Sequence, residues 1–461
     1  MNDATHPTPT NPDDTFPRVL VVTPQAFNNV TGGGVTMSNL FRGWPKDRLA
    51  CLHTDSVPPA TDVCERVYDL NVADVTKRFV PRWLQKRFQA RPVAATAGAT
   101  PTGAGDSRPG LPRRVLQRVR DFLFGGDSIP ETIDLSDPLR AWIDAFRPDI
   151  LYTPLGDNAL ADFIETVRVR WNLPLVIHVM DDWRGTRYSR GVLAPPRRRY
   201  MHRMYRHHVT VAARRMGICP LMCESFEREF GLPFAPFQNT IDAADWSRFS
   251  RADTTPGTPF RCVYAGSIFP YAQLDSLVEI ATAVDAMARR GVPITLDIYS
   301  PPFMVDRYRD RLVVGDAVRL RDPIPHGEPY FRMLCDADLL LLPVNFDHDT
   351  VVYIRYSMPT KVPEYLLTGV PILAYGPPTV AQIDYAAKDG WARVVTTQGT
   401  EAVTDALAAL MGDAALRHAL STTAKAVAAR NHDARTVRAQ FRRALREAHT
   451  LQPTNTNRAR G

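Results

Sequence analysis

The 461-residue sequence predicts an α/β protein of two domains, each built on a parallel β-sheet. Short apolar strands alternate with helical segments along most of the chain, a pattern typical of parallel sheets covered by helices on both faces. The length exceeds one ordinary hydrophobic core, and the polar, turn-rich stretch at residues 237–259 divides the alternation into two runs. A hydrophobic content of 44% and a charged content of 23% are those of a globular protein.

The first domain is expected over residues 18–238, and its first strand is the apolar run at 18–23. A loop that contains Gly32, Gly33 and Gly34 is predicted to follow, with a helix after it. Glycines allow backbone N–H groups to approach a ligand closely, so this loop could contact an acceptor or a phosphate. The spacing is not that of a dinucleotide-binding motif, and a plain flexible connection explains the glycines equally well.

The segment at about 75–126 differs in composition from the rest of the chain. Its centre is rich in Ala, Gly, Thr and Pro, and runs of Arg and Lys flank it on both sides. Apolar residues such as Trp83, Phe88 and Phe122 lie between the basic ones. Two interpretations remain open: basic amphipathic helices that rest on an anionic membrane surface, or solvated helices joined by a flexible insert.

Regular alternation resumes with a strand at 150–153, a helix at 159–171 and an apolar strand at 173–180. Asp181 and Asp182 follow that last strand directly. Ligands of open α/β sheets bind beyond the carboxyl ends of the strands, so the two aspartates are candidate catalytic residues. A turn at the end of the strand is the structural alternative.

A second basic run at 197–208 is predicted to form a helix that faces solvent or lipid. The second domain is expected over residues 239–432 and repeats the alternation. Its strands are predicted at 261–265, 294–299, 318–321, 339–343 and 371–375, and its helices at 274–289, at 329–335 and onward to about 430. A basic helix at 433–449 is expected to pack back on the first domain, and residues 1–17 and 450–461 are expected to be disordered tails.

The most informative stretch is residues 357–376, which read SMPTKVPEYLLTGVPILAYG. It predicts a helix capped by Thr360, with Pro363 in the first turn and Gly369 at the end. The Glu364 carboxylate then lies near N–H groups that have no partner within the helix. Those groups favour an anion such as a diphosphate, and a carboxylate can accept two hydrogen bonds from a ribose diol. The stretch therefore predicts a nucleotide-binding site.

Charge, cysteine and hydropathy patterns limit the possible partners. The net charge of +7 indicates an anionic partner, but the basic runs carry no recognisable nucleic-acid-binding module, so nucleic acid is not expected. Six scattered cysteines lack metal-ligand spacing, so we expect reduced thiols and no bound metal. No apolar run approaches the roughly 20 residues of a membrane-spanning helix. A cytoplasmic protein is therefore expected, either free or peripheral at the inner face of the membrane.

Several segments match the family-4 glycosyltransferases in order and spacing. They are the glycine run, the linker QNTID at 238–242, Gly266 and Ser267 after the first strand of the second domain, and residues 359–371 with Glu364. The chain resembles that family from about residue 18 to 449. The resemblance implies the GT-B fold, in which two Rossmann-like domains face each other and hold a nucleotide-sugar in the cleft between them.

The resemblance also implies roles for individual residues of the donor site. Glu364 would bind the donor ribose, and the helix N-terminus before it, with Pro359 and Thr360, would hold the phosphates together with Gly266 and Ser267.

The sequence departs from the family pattern at three places. Tyr356 stands eight positions before Glu364, where the family usually has a second glutamate that contacts the donor sugar. Ser267 and Ala272 stand where Arg and Lys usually counter the diphosphate charge. Lys361 and Arg355 are the candidates to supply that charge instead.

At the end of the strand at 173–180, Met180, Asp181 and Asp182 stand where many members have a His-Asp pair. His178 lies two residues back on the same face of that strand. His178 and Tyr356 are therefore candidate contacts for the donor sugar.

The activity that the resemblance implies is transfer of a sugar from a nucleoside diphosphate-sugar to a hydroxyl of a sugar or lipid-linked acceptor. Retention of the anomeric configuration, no cofactor and a place in polysaccharide or glycoconjugate biosynthesis would go with it. Asp181 or Asp182 would orient the reacting hydroxyls, and Lys361 would stabilise the leaving diphosphate. A sugar-nucleotide epimerase of the same fold and a non-catalytic nucleotide-sugar-binding protein remain alternatives.

Overall fold

The computed structural model describes residues 16–71, 74–77, 111–125 and 130–451, and only the backbone of residues 111–117. Within these ranges the chain forms two parallel sheets, each covered by helices, and one small antiparallel pair. The tails predicted at either end and the middle of the basic insert, including Trp83 and Phe88, lie outside the described residues. No helix among the described residues is both long and apolar enough to cross a membrane.

The first sheet has seven parallel strands in the order β3-β2-β1-β6-β7-β8-β9. These strands are β1 (Val19–Thr23), β2 (Leu49–His53), β3 (Arg66–Asp69), β6 (Ile150–Thr153), β7 (Leu175–Val179), β8 (Arg214–Gly217) and β9 (Ala235–Pro236). The antiparallel pair consists of β4 (Val75–Lys77) and β5 (Glu131–Ile133). Every residue of β1 and β7 is buried, because helices cover both faces of the sheet.

The helices of the first domain begin with α1 (Gly32–Phe41), after which the basic insert contributes α2 (Leu111–Phe124). The others are α3 (Asp137–Phe146), α4 (Asn158–Arg170), α5 (Trp183–Thr186), α6 (Ala194–Val211) and α7 (Pro220–Phe230). Side chains that accept a hydrogen bond from the first turn fix several of these starts: Ser136 caps α3 and Asp157 caps α4.

The second sheet has six parallel strands in the order β12-β11-β10-β13-β14-β15. They are β10 (Phe260–Ala265), β11 (Ile294–Tyr299), β12 (Val318–Arg321), β13 (Leu339–Pro343), β14 (Ile372–Tyr375) and β15 (Arg393–Val395). The helices are α8 (Ala243–Trp246), α9 (Leu274–Arg289), α10 (Pro302–Leu312), α11 (Glu328–Cys335), α12 (His348–Ile354), α13 (Val362–Leu367), α14 (Ala381–Asp389), α15 (Thr400–Gly412) and α16 (Ala414–Asn431).

The last helix, α17 (Ala434–Thr450), belongs to the core of the first domain. Phe441 is completely buried, and its ring lies 5.0 Å from Phe41 and 5.4 Å from Phe237 between centroids. The chain therefore crosses between the domains twice. The two crossing segments run side by side through a parallel bridge between Ile241 and Asp433.

Candidate active site

A cavity of about 380 Å³ lies between the two domains. Its walls come from the start of α1, the linker that leads into the second domain, the loop before α11 and the start of α13. The residues that line it are Asn29, Val30, Gly32, Val35, Asn39, Arg42, Asn239, Thr240, Ile241, Asp242, Trp246, His326, Gly327, Tyr330, Phe331, Thr360, Lys361 and Glu364. The cavity therefore brings the first glycine of the run, Gly32, to the same space as Glu364.

Glu364 lies in the first turn of α13, and its carboxylate faces the cavity with 27% of the side chain exposed. His326 forms an ion pair with this carboxylate when its imidazole is protonated, and its Nδ1 atom lies 3.8 Å from Glu364 Oε1. That contact raises the pKa of His326. The His326 ring lies 4.6 Å from the Tyr330 ring, which completes a polar and aromatic wall beside the carboxylate.

The start of α13 differs from the prediction in one detail. Lys361, not Thr360, occupies the N-cap position, and Pro363 lies in the first turn as expected. Thr360 instead contributes its carbonyl oxygen, which accepts a 2.7 Å hydrogen bond from the Asn239 side chain. The expected cap is wrong because the linker between the domains, invisible to a local pattern, binds the residue before the helix.

The Lys361 ammonium group is held beside the turn that follows β10. It donates a 3.0 Å hydrogen bond to the Ala265 carbonyl oxygen and lies 4.2 Å from the centre of the Tyr264 ring. Part of the side chain is accessible, yet protein atoms surround the ammonium group itself, and this burial lowers its pKa to about 7. Gly266 has a φ of +144°, and a Cβ atom there would lie 3.2 Å from the lysine nitrogen. The position of the Lys361 ammonium group therefore depends on the lack of a side chain at Gly266.

The glycine run forms the first turn of α1, so the predicted loop is wrong at these positions. Thr31 ends the preceding loop, and its hydroxyl oxygen accepts a hydrogen bond from the Gly34 N–H group. Gly34 is tightly packed, because a Cβ atom there would lie 2.4 Å from the Asn28 side chain. Gly32 lines the interdomain cavity, whereas Gly33 lines a narrow second cavity at the carboxyl edge of the first sheet.

The two aspartates after β7 have different surroundings. Asp182 caps α5 by accepting a 3.0 Å hydrogen bond from the Gly185 N–H group. Asp182 therefore has the structural role that the sequence also allowed, in a turn at the end of the strand. Asp181 lines the narrow cavity with Gly33. Its side chain reaches solvent, but the cavity walls crowd its carboxyl group, and this crowding and the charge of Asp182 raise its pKa. Of the pair, Asp181 is the group positioned to meet a ligand.

His178 and Tyr356 lie in the protein interior, which removes them as sugar contacts in this structure. His178 is fully buried; its Nδ1 atom lies 2.6 Å from the Tyr152 hydroxyl and its Nε2 atom 2.9 Å from the Phe237 carbonyl oxygen. Burial lowers the pKa of His178 to about 4. Tyr356 is 6% exposed and shares a 2.8 Å hydrogen bond with Ser225 of the first domain.

Arg355, Pro359 and Ser267 lie near the site but outside the lining of the interdomain cavity. Arg355 is exposed, and its guanidinium group lies 5.4 Å from the Tyr356 ring centre. Pro359 accepts a hydrogen bond from the Val362 N–H group, and the Ser267 carbonyl oxygen accepts one from the Tyr264 hydroxyl. Pro359 and Ser267 thus belong to the turns beside Lys361, whereas Arg355 ends α12.

A third cavity, of about 330 Å³, lies in the first domain. It shares Pro24, Gln25 and Trp183 with the narrow cavity that contains Asp181, so the two are adjacent. Its lining includes the carboxylates Asp55, Glu131 and Asp157, the indole of Trp183 and the guanidinium group of Arg187. Carboxylates and an indole face are groups that contact sugar hydroxyls and sugar rings.

Sequence reasoning missed the contribution of His326 and of a chain of polar contacts that joins the domains. The Asn39 side chain donates a 2.8 Å hydrogen bond to Asn239, which itself binds Thr360. The Arg438 guanidinium group binds the Asn39 carbonyl oxygen at 2.7 Å and both carboxylate oxygens of Asp242 at 2.8 and 3.2 Å. The linker at 238–242 indicated a domain boundary, but no local sequence pattern predicted which residues contact it.

No protein-family model and no curated protein matches the chain. Solved structures do match over almost its whole length. HepE from Anabaena in complex with UDP has a TM-score of 0.55 at 12% identity, with 93% of this chain and 99% of that chain covered. WaaG, a glycosyltransferase involved in lipopolysaccharide biosynthesis, has a TM-score of 0.52 at 12% identity, with 92% and 98% covered.

A third similar structure is the UDP-forming α,α-trehalose-phosphate synthase from Burkholderia xenovorans. Its TM-score is 0.54 at 14% identity, and the match covers 94% of this chain and all of that chain. Identities this low establish the fold alone. The chain therefore has the GT-B fold, two α/β domains with parallel sheets on either side of a cleft, as the resemblance implied.

Proposed function

We propose that this protein is a glycosyltransferase that takes a sugar from a nucleoside diphosphate-sugar bound in the interdomain cavity. The observation that carries the proposal is that Glu364 and Lys361 line the same cavity, with Gly266 beside the lysine nitrogen. Similar structures support it, since HepE is described in complexes with UDP, with UDP-glucose, and with UDP and glucose.

The donor would lie with its ribose diol on the Glu364 carboxylate and its diphosphate between Lys361 and the N–H groups at the start of α13. A carboxylate accepts both hydrogen bonds of a vicinal diol, and fixed cations and N–H donors stabilise charge on a leaving diphosphate. Trp246, Tyr330 and Phe331 supply aromatic surface in the same cavity, which suits a nucleobase.

The acceptor would occupy the adjacent cavities of the first domain. Asp181 lines one of them, and its raised pKa favours a group that can exchange a proton with an acceptor hydroxyl. Retention of the anomeric configuration, independence of metal ions, a cytoplasmic site of action and a role in polysaccharide or glycoconjugate biosynthesis are part of the proposal. Retention and the biosynthetic role follow from the family resemblance, and the cytoplasmic site and independence of metal ions follow from the cysteine and hydropathy patterns.

Thermal unfolding in the presence of nucleotides tests the donor site. A ligand that binds only the folded protein raises the unfolding temperature by mass action. We expect one nucleoside diphosphate, with UDP tested first, to stabilise the wild type and to lose most of that effect on Glu364→Gln. Glu401→Gln is the matched control, because Glu401 also lies in the first turn of an exposed helix, α15. Equal stabilisation of all three proteins would refute the site.

A binding protein without turnover is the second candidate, and the position of Tyr356 favours it. The residue that replaces the family's sugar-contacting glutamate is buried against the first domain. Incubation with donor and a panel of acceptors, followed by product analysis, separates the two functions. Glycoside formation supports the transferase, an altered sugar from donor alone indicates an epimerase, and tight binding without any product indicates the binding protein.

A further inference from the structure

We infer that the first domain docks on an anionic phospholipid bilayer through a surface built from the end of α2 and the start of α6. We call this surface the docking face. Its members are Val119, Phe122, Arg190, Val192, Arg198 and Arg199.

The fold joins two basic segments that are far apart in the sequence. The Val192 N–H group donates a 3.0 Å hydrogen bond to the Phe122 carbonyl oxygen, and Leu193 binds Leu123 in the same way at 2.9 Å. The Arg197 guanidinium group lies 5.5 Å from the centre of the Phe124 ring. The sequence offered the two basic runs separately, whereas the structure makes them one surface.

Two glycines permit this close approach. Gly125 and Gly191 both have positive φ, +64° and +94°, and a Cβ atom on Gly191 would lie 2.5 Å from the Gly125 nitrogen. A Cβ atom on Gly125 would lie 2.2 Å from the Arg190 main chain. The contact between the two segments is therefore specific rather than a loose apposition.

The centre of the docking face is apolar and exposed. The exposed fractions are 67% for Phe122, 55% for Val192 and 48% for Val119. Val119 and Phe122 lie one helical turn apart on the same side of α2, while Phe124 turns inward and is buried. Large apolar side chains grouped in this way on a surface mark an interaction site.

The surroundings of that apolar centre are strongly cationic. From residue 188 to 211 the sequence has six arginines and no acidic residue. Arg190, Arg198 and Arg199 are exposed, and Met201, Tyr205 and Val209 further along α6 pack against the domain. An apolar centre beside exposed arginines matches a bilayer, which offers hydrocarbon beside anionic headgroups.

A bilayer suits this surface better than a nucleic acid does. Val119 and Val192 lie at the centre of the surface with Phe122, and valine has no aromatic ring that could stack on a base. In hydrocarbon, by contrast, all three side chains are transferred out of water.

The docking face adjoins the segment that lines the cavities of the first domain. Residues 181–193 run from Asp181, at the carboxyl edge of the first sheet, directly to Val192 on the docking face. An acceptor carried on a lipid would then reach the cavities of the first domain from the membrane side. This last step rests on the proposed function, whereas the docking itself does not.

Vesicle co-sedimentation tests the inference on the full-length protein. We expect binding to phosphatidylcholine vesicles that contain phosphatidylglycerol and little binding to phosphatidylcholine alone. We expect the double variant Arg198→Glu/Arg199→Glu to bind at least about tenfold more weakly, since each basic residue contributes about fivefold. We expect a loss of at least about tenfold for Phe122→Ser/Val192→Ser as well, because its two apolar side chains no longer enter the hydrocarbon. Phe303→Ser is the matched control, because Phe303 is a 48% exposed phenylalanine on α10 of the other domain.

Several outcomes would overturn the inference. They are equal binding to both kinds of vesicle, unchanged binding by both double variants, equal loss with Phe303→Ser, or binding to single-stranded oligonucleotides without binding to vesicles. Stabilisation by the nucleotide should be the same in all variants, since none touches the interdomain cavity. Loss of vesicle binding alone therefore leaves the donor site standing, and loss of nucleotide stabilisation in the wild type leaves the docking face standing.

Discussion

The Lys361 ammonium nitrogen lies 3.0 Å from the Ala265 carbonyl oxygen, although the two residues are 96 positions apart in the chain. This bond joins the helix that carries Glu364 to the strand that opens the second domain. It also places a cation with a pKa of about 7 where the proposed diphosphate would lie. Protonation of this lysine therefore connects folding stability with donor binding.

Replacement of Lys361 by methionine should stabilise the unliganded protein near pH 7. Burial disfavours the charged amine, so the unfolded chain binds more protons than the folded one between about pH 7 and the lysine's ordinary pKa. The free energy of unfolding should rise by about 1–3 kcal/mol at pH 7, and the gain should shrink toward pH 10. Urea denaturation at both pH values measures it, and the exposed Lys46→Met is the control. A gain that is constant with pH would contradict the assignment.

Donor affinity should fall as the pH rises above about 7. A diphosphate binds the charged lysine best, so binding should take up a proton, with at most about a tenfold loss of affinity per pH unit. Calorimetry with an intact nucleotide-sugar in buffers of different ionisation enthalpy counts that proton. His326→Gln is the suitable background, because His326 also titrates at this site. Lys361→Met should bind weakly at every pH, and an unaltered slope in that variant would exclude the lysine as the cause.

Glu364→Gln should lose discrimination between ribose and deoxyribose. The wild type is expected to bind a ribonucleotide about 10 to 100 times more tightly than its 2′-deoxy analogue, because the partly buried carboxylate would lose a hydrogen bond from the diol of the deoxy compound. In the variant both nucleotides should bind with similar, weak affinity. Titration calorimetry of both proteins with both nucleotides measures the coupling free energy between the Glu364 carboxylate and the 2′-hydroxyl. Persistent preference for ribose in Glu364→Gln would place the diol elsewhere.

Arg438→Ala should destabilise the protein by about 1–3 kcal/mol, because it removes charge-assisted hydrogen bonds to Asp242 and to the Asn39 carbonyl oxygen. Arg435→Ala, an exposed arginine on the same helix, should have almost no effect. Urea denaturation compares the two variants. Similar losses in both would show that removal of a positive charge from the helix, rather than the contact between the domains, accounts for the change.

Gly34→Ala should destabilise the protein by about 1–3 kcal/mol, as expected for overpacking, because the added methyl group would overlap Asn28 and lie 2.7 Å from the Ala26 carbonyl oxygen. Gly32→Ala should be neutral or slightly stabilising, since nothing lies within 4 Å of its added Cβ atom and alanine favours a helix. Thermal unfolding distinguishes them. Equal unfolding temperatures would mean that α1 shifts to accommodate both changes.

The sequence predicted elements wherever the signal was local. The strands Ile294–Tyr299, Val318–Arg321 and Leu339–Pro343 and the helix Leu274–Arg289 have the predicted bounds, because apolar runs or helical periodicity end there at polar or turn-forming residues. Helix α1 began earlier than predicted, since the Thr31 cap outweighs the poor helix propensity of three glycines.

Residues of the site were predictable only where backbone geometry alone positions them. Glu364 lies in the first turn of α13 and faces the cavity. This position could be predicted because Pro363 marks the start of the helix and a turn marks its end. His178 and Tyr356 have suitable chemistry, but their burial depends on Phe237 and Ser225, which are distant in sequence. His326 reaches Glu364 from another loop, and no periodicity marks such a meeting.

The placement of α17 has a consequence for the order of assembly during synthesis. Domains generally fold from the N-terminus as the chain emerges. Here the first 238 residues emerge with an apolar groove still open, because Val437, Phe441 and Leu445, which fill it, follow the whole second domain in the chain. The first domain thus reaches its final packing only after the second domain has been synthesised, and the second domain must form without obstructing the return of α17.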